Sequence, residues 1–392
     1  MIDAFSFAST PHFHFGNGSR KYLSGILESY GSSVLLVTGD RSFDQSRLCQ
    51  QVWQELQRGF EIYRLKVTGE PSPQLVDAAV MDHRKYSPDC VLAIGGGSAI
   101  DAAKAIAGLL PSGDSVMDYL EGIGAGKIYQ GPSTPFVAMP TTAGTGGETS
   151  KNAVLSEVGE NGFKKSFRHE SLVPEHIILD PEMTATCPPE ITAACGMDAF
   201  TQLLESYVSC KANPMTDALS LSGLQCIKRS LLQAVAHGDD LDARSDMLYA
   251  SSISGLTLAN AGLGSVHGLA SPLGAFFPIP HGMACGTMLY EAVKTNIHAM
   301  DEREPENVAL RRYADVGRLM VDNTLPDHQA RAALLTLLGE WVKRLTMPQL
   351  SGYGVGEDDI PRIITNISGG SMSGNPVVLQ YNEIEELIRS RL

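Results

Sequence analysis

Apolar residues in the first half of the chain occur in short runs separated by stretches with helical spacing. The runs at residues 34–38 and 90–94 are rich in β-branched and aliphatic side chains, and residues 61–67 alternate between apolar and polar. Residues 43–58 and 73–87, between these runs, have the apolar spacing of helices. This alternation predicts a parallel sheet with helices on both faces, because buried parallel strands are apolar throughout and each crossover needs a helix.

The second half of the chain loses the strand pattern. Residues 175–180 are the last strand-like segment, and from about Pro188 onward the spacing is helical almost throughout, interrupted by proline and glycine. We therefore predict an α/β domain over residues 1–182 and an all-α domain over residues 183–392. A chain of 392 residues also exceeds the roughly 250–300 residues at which single cores stop growing.

Charge and composition exclude several classes of function. The formal net charge is −14, whereas domains that bind nucleic acids carry concentrated basic surfaces, so we expect no nucleic-acid partner. There is no run of 18 apolar residues, and the first residues lack the basic and apolar regions of a secretory signal. We therefore expect a cytoplasmic protein without a membrane partner.

The seven cysteines form no recognisable framework. They are scattered, without a CxxC pair, at positions 49, 90, 187, 195, 210, 226 and 285. This arrangement favours reduced thiols in a cytosol over a set of disulfide bonds. We assign all seven a packing role and no chemical one.

A glycine-rich loop follows the run at residues 90–94. It contains Gly95, Gly96 and Gly97, followed by Ser98 at the start of a predicted helix. Glycines there let backbone N–H groups approach an anion such as a phosphate, and the helix dipole adds to the attraction. The alternative is a tight turn that binds nothing. The loop fits neither GxGxxG nor GxxxxGK[ST], so an ordinary Rossmann or P-loop site is not predicted.

A second loop of small residues covers positions 140–149 and follows the apolar run at 135–139. It contains three glycines and four threonines, which offer backbone and hydroxyl donors to a polar ligand. Two such loops at strand ends of one sheet are what a dinucleotide bound in a crevice requires. For either loop taken alone, a surface loop without a ligand is the alternative.

Four polar residues in the predicted helical half are candidates for a metal site. Asp198 and Gln202 are four residues apart, so they share one face of a helix. His267 and His281 lie farther along the chain, in apolar surroundings. One carboxylate and two imidazoles, with a further position for an oxygen, are the ligand set of a divalent-metal catalytic site. A hydrogen-bonded polar core without a metal is the alternative, as is a capping role for Asp198.

Motifs spread over most of the chain resemble those of the iron-containing (group III) alcohol dehydrogenases, in the wider grouping with glycerol dehydrogenases and dehydroquinate synthases. The motifs are FGNGS at 15–19, GEPSP at 69–73, GGGSAIDAAK at 95–104, PTTAGTGGET at 140–149, LDPEMT at 179–184, GMDAF at 196–200, and His267 and His281 with PHG at 280–282. The resemblance implies a dinucleotide-binding α/β domain and a helical domain, with a metal and a nicotinamide meeting in the cleft between them.

The resemblance also implies roles for individual residues. The residues expected to bind the cofactor are Gly95, Gly96, Gly97, Ser98, Asp101, Thr141, Thr142 and Thr145. Asp198, His267 and His281 match three of the four metal ligands and are the expected catalytic residues, and Gln202 occupies the fourth position. The implied reaction transfers a hydride between a small primary or secondary alcohol and NAD(P), or back to the carbonyl, with a divalent metal polarising the substrate oxygen.

The sequence departs from the family pattern at two positions. Gln202 stands where the family has a histidine. Because an amide oxygen is a weak ligand, Fe²⁺ should bind less well, and Zn²⁺ becomes a more plausible metal for the site. Ser271 stands where the family commonly has a histidine near the nicotinamide, so the sequence does not identify the group that carries the proton. A metal-free reductase of the maleylacetate reductase type, acting on an anionic carbonyl substrate, and a lyase resembling dehydroquinate synthase are the alternatives.

Residues after the first strand bear on the choice between NAD and NADP. Many NAD-specific members place aspartate where Gly39 stands, because a carboxylate binds the ribose 2′-hydroxyl and repels a 2′-phosphate. Gly39 removes that repulsion, and Arg41 or Ser42 could bind the phosphate, which favours NADP(H). Asp40 could instead restore a preference for NAD(H).

The substrate and the assembly are less constrained. Residues 163–169 are the most basic window of the chain, which suggests an anionic end on the substrate, with a solvated loop as the alternative. We expect a small alcohol or aldehyde as substrate and a homodimer or higher homo-oligomer.

Overall fold

Strands dominate the N-terminal half of the computed structural model, which describes residues 2, 4–367 and 369–392. The strands are β1 (His12–Phe15), β2 (Ser33–Gly39), β3 (Glu61–Val67), β4 (Cys90–Gly95), β5 (Phe136–Pro140), β6 (Asn152–Glu157), β7 (Phe163–Arg168) and β8 (His176–Leu179). Six of them form one parallel sheet in the order β1-β8-β5-β4-β2-β3, and β6 pairs with β7 in an antiparallel hairpin.

Helices cover the sheet and make up the C-terminal half. Those of the N-terminal half are α1 (Leu23–Glu28), α2 (Ser42–Gln45), α3 (Arg47–Gly59), α4 (Pro73–His83) and α5 (Gly97–Leu109). Those of the C-terminal half are α6 (Pro189–Val208), α7 (Pro214–Ala236), α8 (Leu241–Ala261), α9 (Ser265–Phe276), α10 (His281–Arg303), α11 (Val308–Met320), α12 (Asp327–Arg344), α13 (Ile360–Thr365), α14 (Gly369–Met372) and α15 (Tyr381–Arg389).

The hydrophobic pattern explains the arrangement of the sheet. Every residue of β4 and β5 is buried, because these central strands have helices on both faces. Among the described residues, no strand follows β8, and the chain is helical from Pro189 onward. The predicted fold class, a parallel α/β half followed by a helical half, is therefore confirmed. The boundary between residues 182 and 183 stays a prediction.

The basic window is a strand and not the solvated loop given as its alternative. It forms β7, whose residues are intermediate or buried apart from Arg168. β7 also contacts α9 of the helical half. The window therefore lies between the two halves of the molecule.

Close backbone approaches join the two halves. A side chain at Gly146 would lie 2.5 Å from the backbone of Gly255 in α8, and one at Gly144 would lie 2.7 Å from Cβ of Cys195 in α6. Only glycine allows such contacts. The loop at 141–149 is thereby held directly against the helices of the second half.

Hydropathy adds one further finding. Within the described residues, no helix combines the length and the apolar character that crossing a membrane would require.

Candidate functional site

The predicted cofactor loops lie side by side at the carboxyl edge of the sheet. Gly39 and Gly95 end the neighbouring strands β2 and β4, and Pro140 ends β5, which pairs with β4 on its other side. The backbone N–H of Thr141 donates to the carbonyl of Gly95 at 2.9 Å. The chain reverses its direction along the sheet between β2 and β4, and a crevice at such a switch point is where α/β sheets bind ligands.

The glycines at 96 and 97 leave room for the threonines of the second loop where the two loops touch. A Cβ at Gly96 would lie 3.2 Å from Oγ1 of Thr142, and one at Gly97 would lie 3.0 Å from Oγ1 of Thr145. Gly96 is the N-cap of α5 and has no side chain to occupy the first N–H groups of the helix. The helix therefore presents free backbone donors and the positive end of its dipole beside the threonine hydroxyls, which suits a pyrophosphate.

Asp101 and Lys104 lie below this crevice in α5. Burial raises the pKa of the Asp101 carboxyl to about 7, although the ammonium groups of Lys104 and Lys164 act in the opposite direction. The fully buried ammonium of Lys104 donates to the carbonyls of Gly147, Ser150 and Asn152 at 2.6, 2.7 and 2.8 Å. Lys104 thus holds the end of the second loop, a role that the sequence analysis did not assign to it.

A cluster of donor atoms forms where three helices of the second half meet. Asp198 lies within α6, His267 in the first turn of α9, and His281 begins α10 immediately after Pro280. The Nε2 atoms of His267 and His281 lie 3.2 and 3.7 Å from Oδ1 of Asp198. Cys285 adds its Sγ, and the four ligand atoms all lie within 4.8 Å of one another.

Gln202 lies beside this cluster with both ends of its amide engaged. Its Nε2 donates to Oδ1 of Asp198 at 3.3 Å, and its Oε1 accepts from the hydroxyl of Ser254 at 2.6 Å. The side chain is 2% exposed. Gln202 therefore positions the Asp198 carboxylate and turns its oxygen, the atom that could bind a metal, toward Ser254.

Glu205 supports the cluster from one turn farther along α6. Its Oε2 lies 2.7 Å from Nδ1 of His267, and its Oε1 accepts the backbone N–H of Val266 at 2.7 Å. Because a carboxylate only accepts, Nδ1 of His267 carries a proton, and Nε2 faces Asp198. The sequence analysis missed Glu205, although its i+7 spacing from Asp198 places it on the same helix face.

The charges and pKa values of the residues in the cluster favour a positive charge at its centre. Burial lowers the pKa of His281 to about 4, so its imidazole stays neutral. Burial also lowers the pKa of His267, but Cys285, Asp198 and Glu205 outweigh it and raise that pKa well above its usual value. Two imidazole nitrogens thus converge on one carboxylate oxygen, an arrangement that a proton or a metal ion would stabilise.

The donor set fits a divalent cation. Imidazole nitrogen, carboxylate oxygen and thiolate sulfur are the ligands that Zn²⁺ takes in proteins, and imidazole and carboxylate also suit Fe²⁺. The carboxylate of Glu205 on the outer nitrogen of His267 is the usual partner of a ligating histidine. The residues present could therefore hold a metal.

The cofactor loop and the metal cluster are directly linked. Cys195, whose Cβ is approached by Gly144 of the second loop, lies one helical turn before Asp198 in α6. A ligand in the crevice would thus lie near the cluster. That a cofactor and a metal meet in one cleft stays a prediction.

Family models match the chain in two consecutive segments. The model described as iron-containing alcohol dehydrogenase matches residues 10–181, and the model for the C-terminal part of the Fe-containing alcohol dehydrogenase family matches residues 192–392. The chain belongs to the iron-containing alcohol dehydrogenase family. The resemblance inferred from the sequence motifs is therefore confirmed.

Members of the iron-containing alcohol dehydrogenase family are similar to the chain over much of its length. It is 37% identical over 272 residues to the probable alcohol dehydrogenase EutG of Salmonella typhimurium, covering 69% of this chain and 65% of that protein. It is 30% identical over 385 residues to the NAD-dependent methanol dehydrogenase of Bacillus methanolicus, covering 96% of this chain and 97% of that one. The structure of a 1,3-propanediol oxidoreductase superposes with a TM-score of 0.89 at 29% identity, covering 100% of both chains.

Ser271, the second position at which the chain departs from the family pattern, lies in α9. Its hydroxyl donates to the backbone carbonyl of Lys164 in β7 at 3.2 Å. Ser271 therefore joins α9 to β7.

Lys164 is the part of the basic window that lies nearest the cluster. Its Nζ lies 2.6 Å from Oε1 of Glu70, and its side chain is 9% exposed. Both members of this ion pair are close enough to His281 to act on its pKa. The positive charge of Lys164 is thus neutralised by Glu70.

Proposed function

We propose that this protein is an NAD(P)-dependent oxidoreductase that transfers a hydride between a nicotinamide and a small alcohol or aldehyde. One observation carries the proposal: the loops that suit a dinucleotide are held against α6, which bears Asp198 of the four-donor cluster. The names of the relatives agree with this function, since they are alcohol dehydrogenases and an oxidoreductase of a diol.

Each group of residues has a distinct task in this proposal. The glycines at 95–97 and Ser98 bind the pyrophosphate through backbone N–H groups, Thr141, Thr142 and Thr145 complete that side of the crevice, and Asp101 lies toward the nicotinamide. A divalent metal held by Asp198, His267 and His281 would supply Lewis-acid polarisation of the substrate oxygen. Asp198 and His267 are 1% and 6% exposed, whereas the His281 side chain is 26% exposed, so the cluster is open to a small molecule on the side of His281.

The neighbours of these residues maintain their orientation. Glu205 keeps the proton of His267 on Nδ1, and Gln202 holds one oxygen of Asp198. Both contacts involve side chains that are less than a tenth exposed, so competition from solvent is small. The nitrogen and oxygen donors are thereby prepared before substrate arrives.

Several finer points belong to the proposal. Gly39 favours NADP(H) over NAD(H), with Asp40 as the residue that could oppose this choice, and the metal is either Fe²⁺ or Zn²⁺.

The exposed Phe13 and Phe15 on the edge strand β1 support association into a homodimer. The free state of all the cysteines agrees with a cytoplasmic location.

The metal-free reductase with an anionic carbonyl substrate is less well supported. Lys164 is already paired with Glu70, so its positive charge is not available to the anionic end of such a substrate. The cluster of four donors would also have no chemical task in such an enzyme beyond supplying an acid.

The decisive experiment follows nicotinamide absorbance with a panel of small alcohols and aldehydes, using NAD(H) and NADP(H), before and after chelation. We expect turnover that falls on chelation and returns with added Zn²⁺ or Fe²⁺. Full activity in a protein shown by elemental analysis to hold no metal would replace the proposed mechanism with the metal-free one. No absorbance change with any substrate would refute the oxidoreductase.

A further inference from the structure

We infer that Cys285 is the fourth protein ligand of the metal, in place of the imidazole that this chain lacks at position 202. The inference rests on the proposed metal-dependent function and concerns which side chains form its metal site. It gives a chemical role to a cysteine that the sequence alone assigned to packing.

The position of the sulfur is the first argument. Sγ of Cys285 lies 3.7 Å from Nε2 of His267 and 3.8 Å from Nε2 of His281. In a tetrahedral zinc site with bonds of about 2.0 Å to nitrogen and 2.3 Å to sulfur, a nitrogen and a sulfur ligand lie about 3.5 Å apart. The sulfur is thus already at ligand spacing from both imidazoles.

The helix explains why the thiol points there. Cys285 is four residues after His281 in α10, so both side chains lie on the face that meets α6 and α9. Cys285 is completely buried. Within the described part of the chain, its hydrogen-bond contacts are with His267 and His281, and it acts on Asp198 as well. All its polar neighbours are therefore members of the cluster.

Gln202 is already used elsewhere, which is the second argument. Its Oε1 accepts from Ser254 and its Nε2 donates to Asp198, so no lone pair of the amide is turned toward the two imidazoles. Ligation by Gln202 would require the amide to rotate and its Nε2 to give up the hydrogen bond to Asp198 in a buried site. Cys285 already lies beside both imidazoles and requires no such rotation.

The other buried cysteines show that burial alone does not produce this arrangement. Cys49, Cys90 and Cys226 are also buried, but the contacts of their thiols are to Ser46, to the carbonyl of Val91 and to Arg229. Within the described residues, Cys285 is the only cysteine in a group of converging metal donors.

The ligand set has a consequence for the metal. One carboxylate oxygen, two imidazole nitrogens and one thiolate sulfur form a softer set than one with a third imidazole. Sulfur is a standard ligand of zinc in catalytic sites, whereas oxygen and nitrogen sets are typical of non-haem iron. We therefore expect this chain to select Zn²⁺ over Fe²⁺.

The test uses Co²⁺ as a spectroscopic probe in the full-length protein stripped of metal. Direct bonding of sulfur to cobalt gives a charge-transfer band in the near ultraviolet, a readout that does not depend on activity. We expect the wild type to bind one Co²⁺ with this band. Cys285→Ser should lose the band and bind Co²⁺ at least about tenfold more weakly, since even outer partners of ligands contribute 10–100-fold.

Two further variants keep the test decisive. Cys226→Ser removes a buried thiol of the same half and should keep both the band and the affinity. The double variant Gln202→His with Cys285→Ser supplies a third imidazole and should regain affinity without the band, which separates lost ligation from misfolding.

The outcomes distinguish this inference from the proposed function. A wild type that binds Co²⁺ without the band, or a Cys285→Ser variant that keeps it, overturns the role of Cys285 and leaves the metal-dependent function standing. A wild type that binds neither Co²⁺ nor Zn²⁺ while it turns over substrate overturns both the metal mechanism and the inference.

Discussion

Nδ1 of His267 lies 2.7 Å from Oε2 of Glu205, across the junction of α9 with α6. This contact sets the tautomer of His267 and directs its Nε2 to Asp198. Glu205 is therefore a positioning residue, which acts on the site through the imidazole that it holds.

Glu205→Gln should weaken metal binding by about 10–100-fold, because the amide cannot match the carboxylate as an acceptor for the imidazole N–H. The dissociation constant for Zn²⁺, measured by competition with a chelator, checks this. Glu148→Gln is the matched control, since Glu148 is also buried but accepts from Ser252 outside the cluster. Equal affinities of the two variants would contradict the role assigned to Glu205.

Gly39→Asp should shift the cofactor preference toward NAD(H). A carboxylate at the end of β2 would repel a 2′-phosphate and bind a ribose 2′-hydroxyl. A Cβ at this position meets only Oγ of Ser42, at 3.0 Å, and that hydroxyl can rotate away. Gly39→Ala adds the Cβ without the charge and serves as the control. The ratio of kcat/KM for NADP(H) to that for NAD(H) should fall about tenfold or more in the aspartate variant only, since the carboxylate weakens binding of NADP(H) and strengthens binding of NAD(H).

Lys104→Met should destabilise the protein by about 2 kcal/mol or more, because the carbonyls of Gly147, Ser150 and Asn152 lose the ammonium that joins them, and each buried group left unsatisfied costs about 1 kcal/mol or more. Urea denaturation of the cofactor-free protein measures this change in the free energy of unfolding. Lys85→Met, at an exposed position, should change it by less than about 0.5 kcal/mol. Similar losses in both variants would mean that the contacts of Lys104 with the second loop contribute little.

The ionisation of Asp101 should make stability depend on pH. Burial raises the pKa of this carboxyl from 3.8 to about 7 in the folded protein. Between these values the folded state binds the extra proton, so this group's contribution to stability falls as pH rises through that range. Asp101→Asn mimics the neutral acid and removes the dependence. As pH rises toward about 7, the unfolding free energy of the variant should therefore increase relative to that of the wild type. A difference between the two proteins that does not change with pH would contradict the raised pKa.

Glu70→Gln should raise the preference for substrates with an acidic end. The change leaves Lys164 positively charged near His281 without its partner, and that charge would attract a carboxylate. The measurement compares kcat/KM for an acid-bearing aldehyde with that for a neutral aldehyde of equal length. Glu121→Gln is the control, because it frees Arg168 on the same strand at an exposed position. A ratio that is unchanged by Glu70→Gln would place Lys164 outside the reach of the substrate.

The sheet and its two loops were predictable because they depend on short stretches of sequence. The apolar run ending at Ile94 is typical of a strand buried on both faces of a parallel sheet, and the glycines that follow allow the close contacts with Thr142 and Thr145. The loops then meet because carboxyl ends of parallel strands share one edge. The pattern of apolar positions did not predict β7, because this strand between the two halves contains three consecutive basic or polar residues.

The sequence by itself determined the family, the parallel sheet, and the helix face shared by Asp198 and Gln202. Helical spacing identifies residues on one face, but it does not say which faces of separate helices meet. Only the packing of α6, α9 and α10 brought Cys285 within 3.8 Å of both imidazoles and placed Glu205 behind His267. The tertiary structure also turned the oxygen of Gln202 toward Ser254, because a buried amide needs partners for both of its ends.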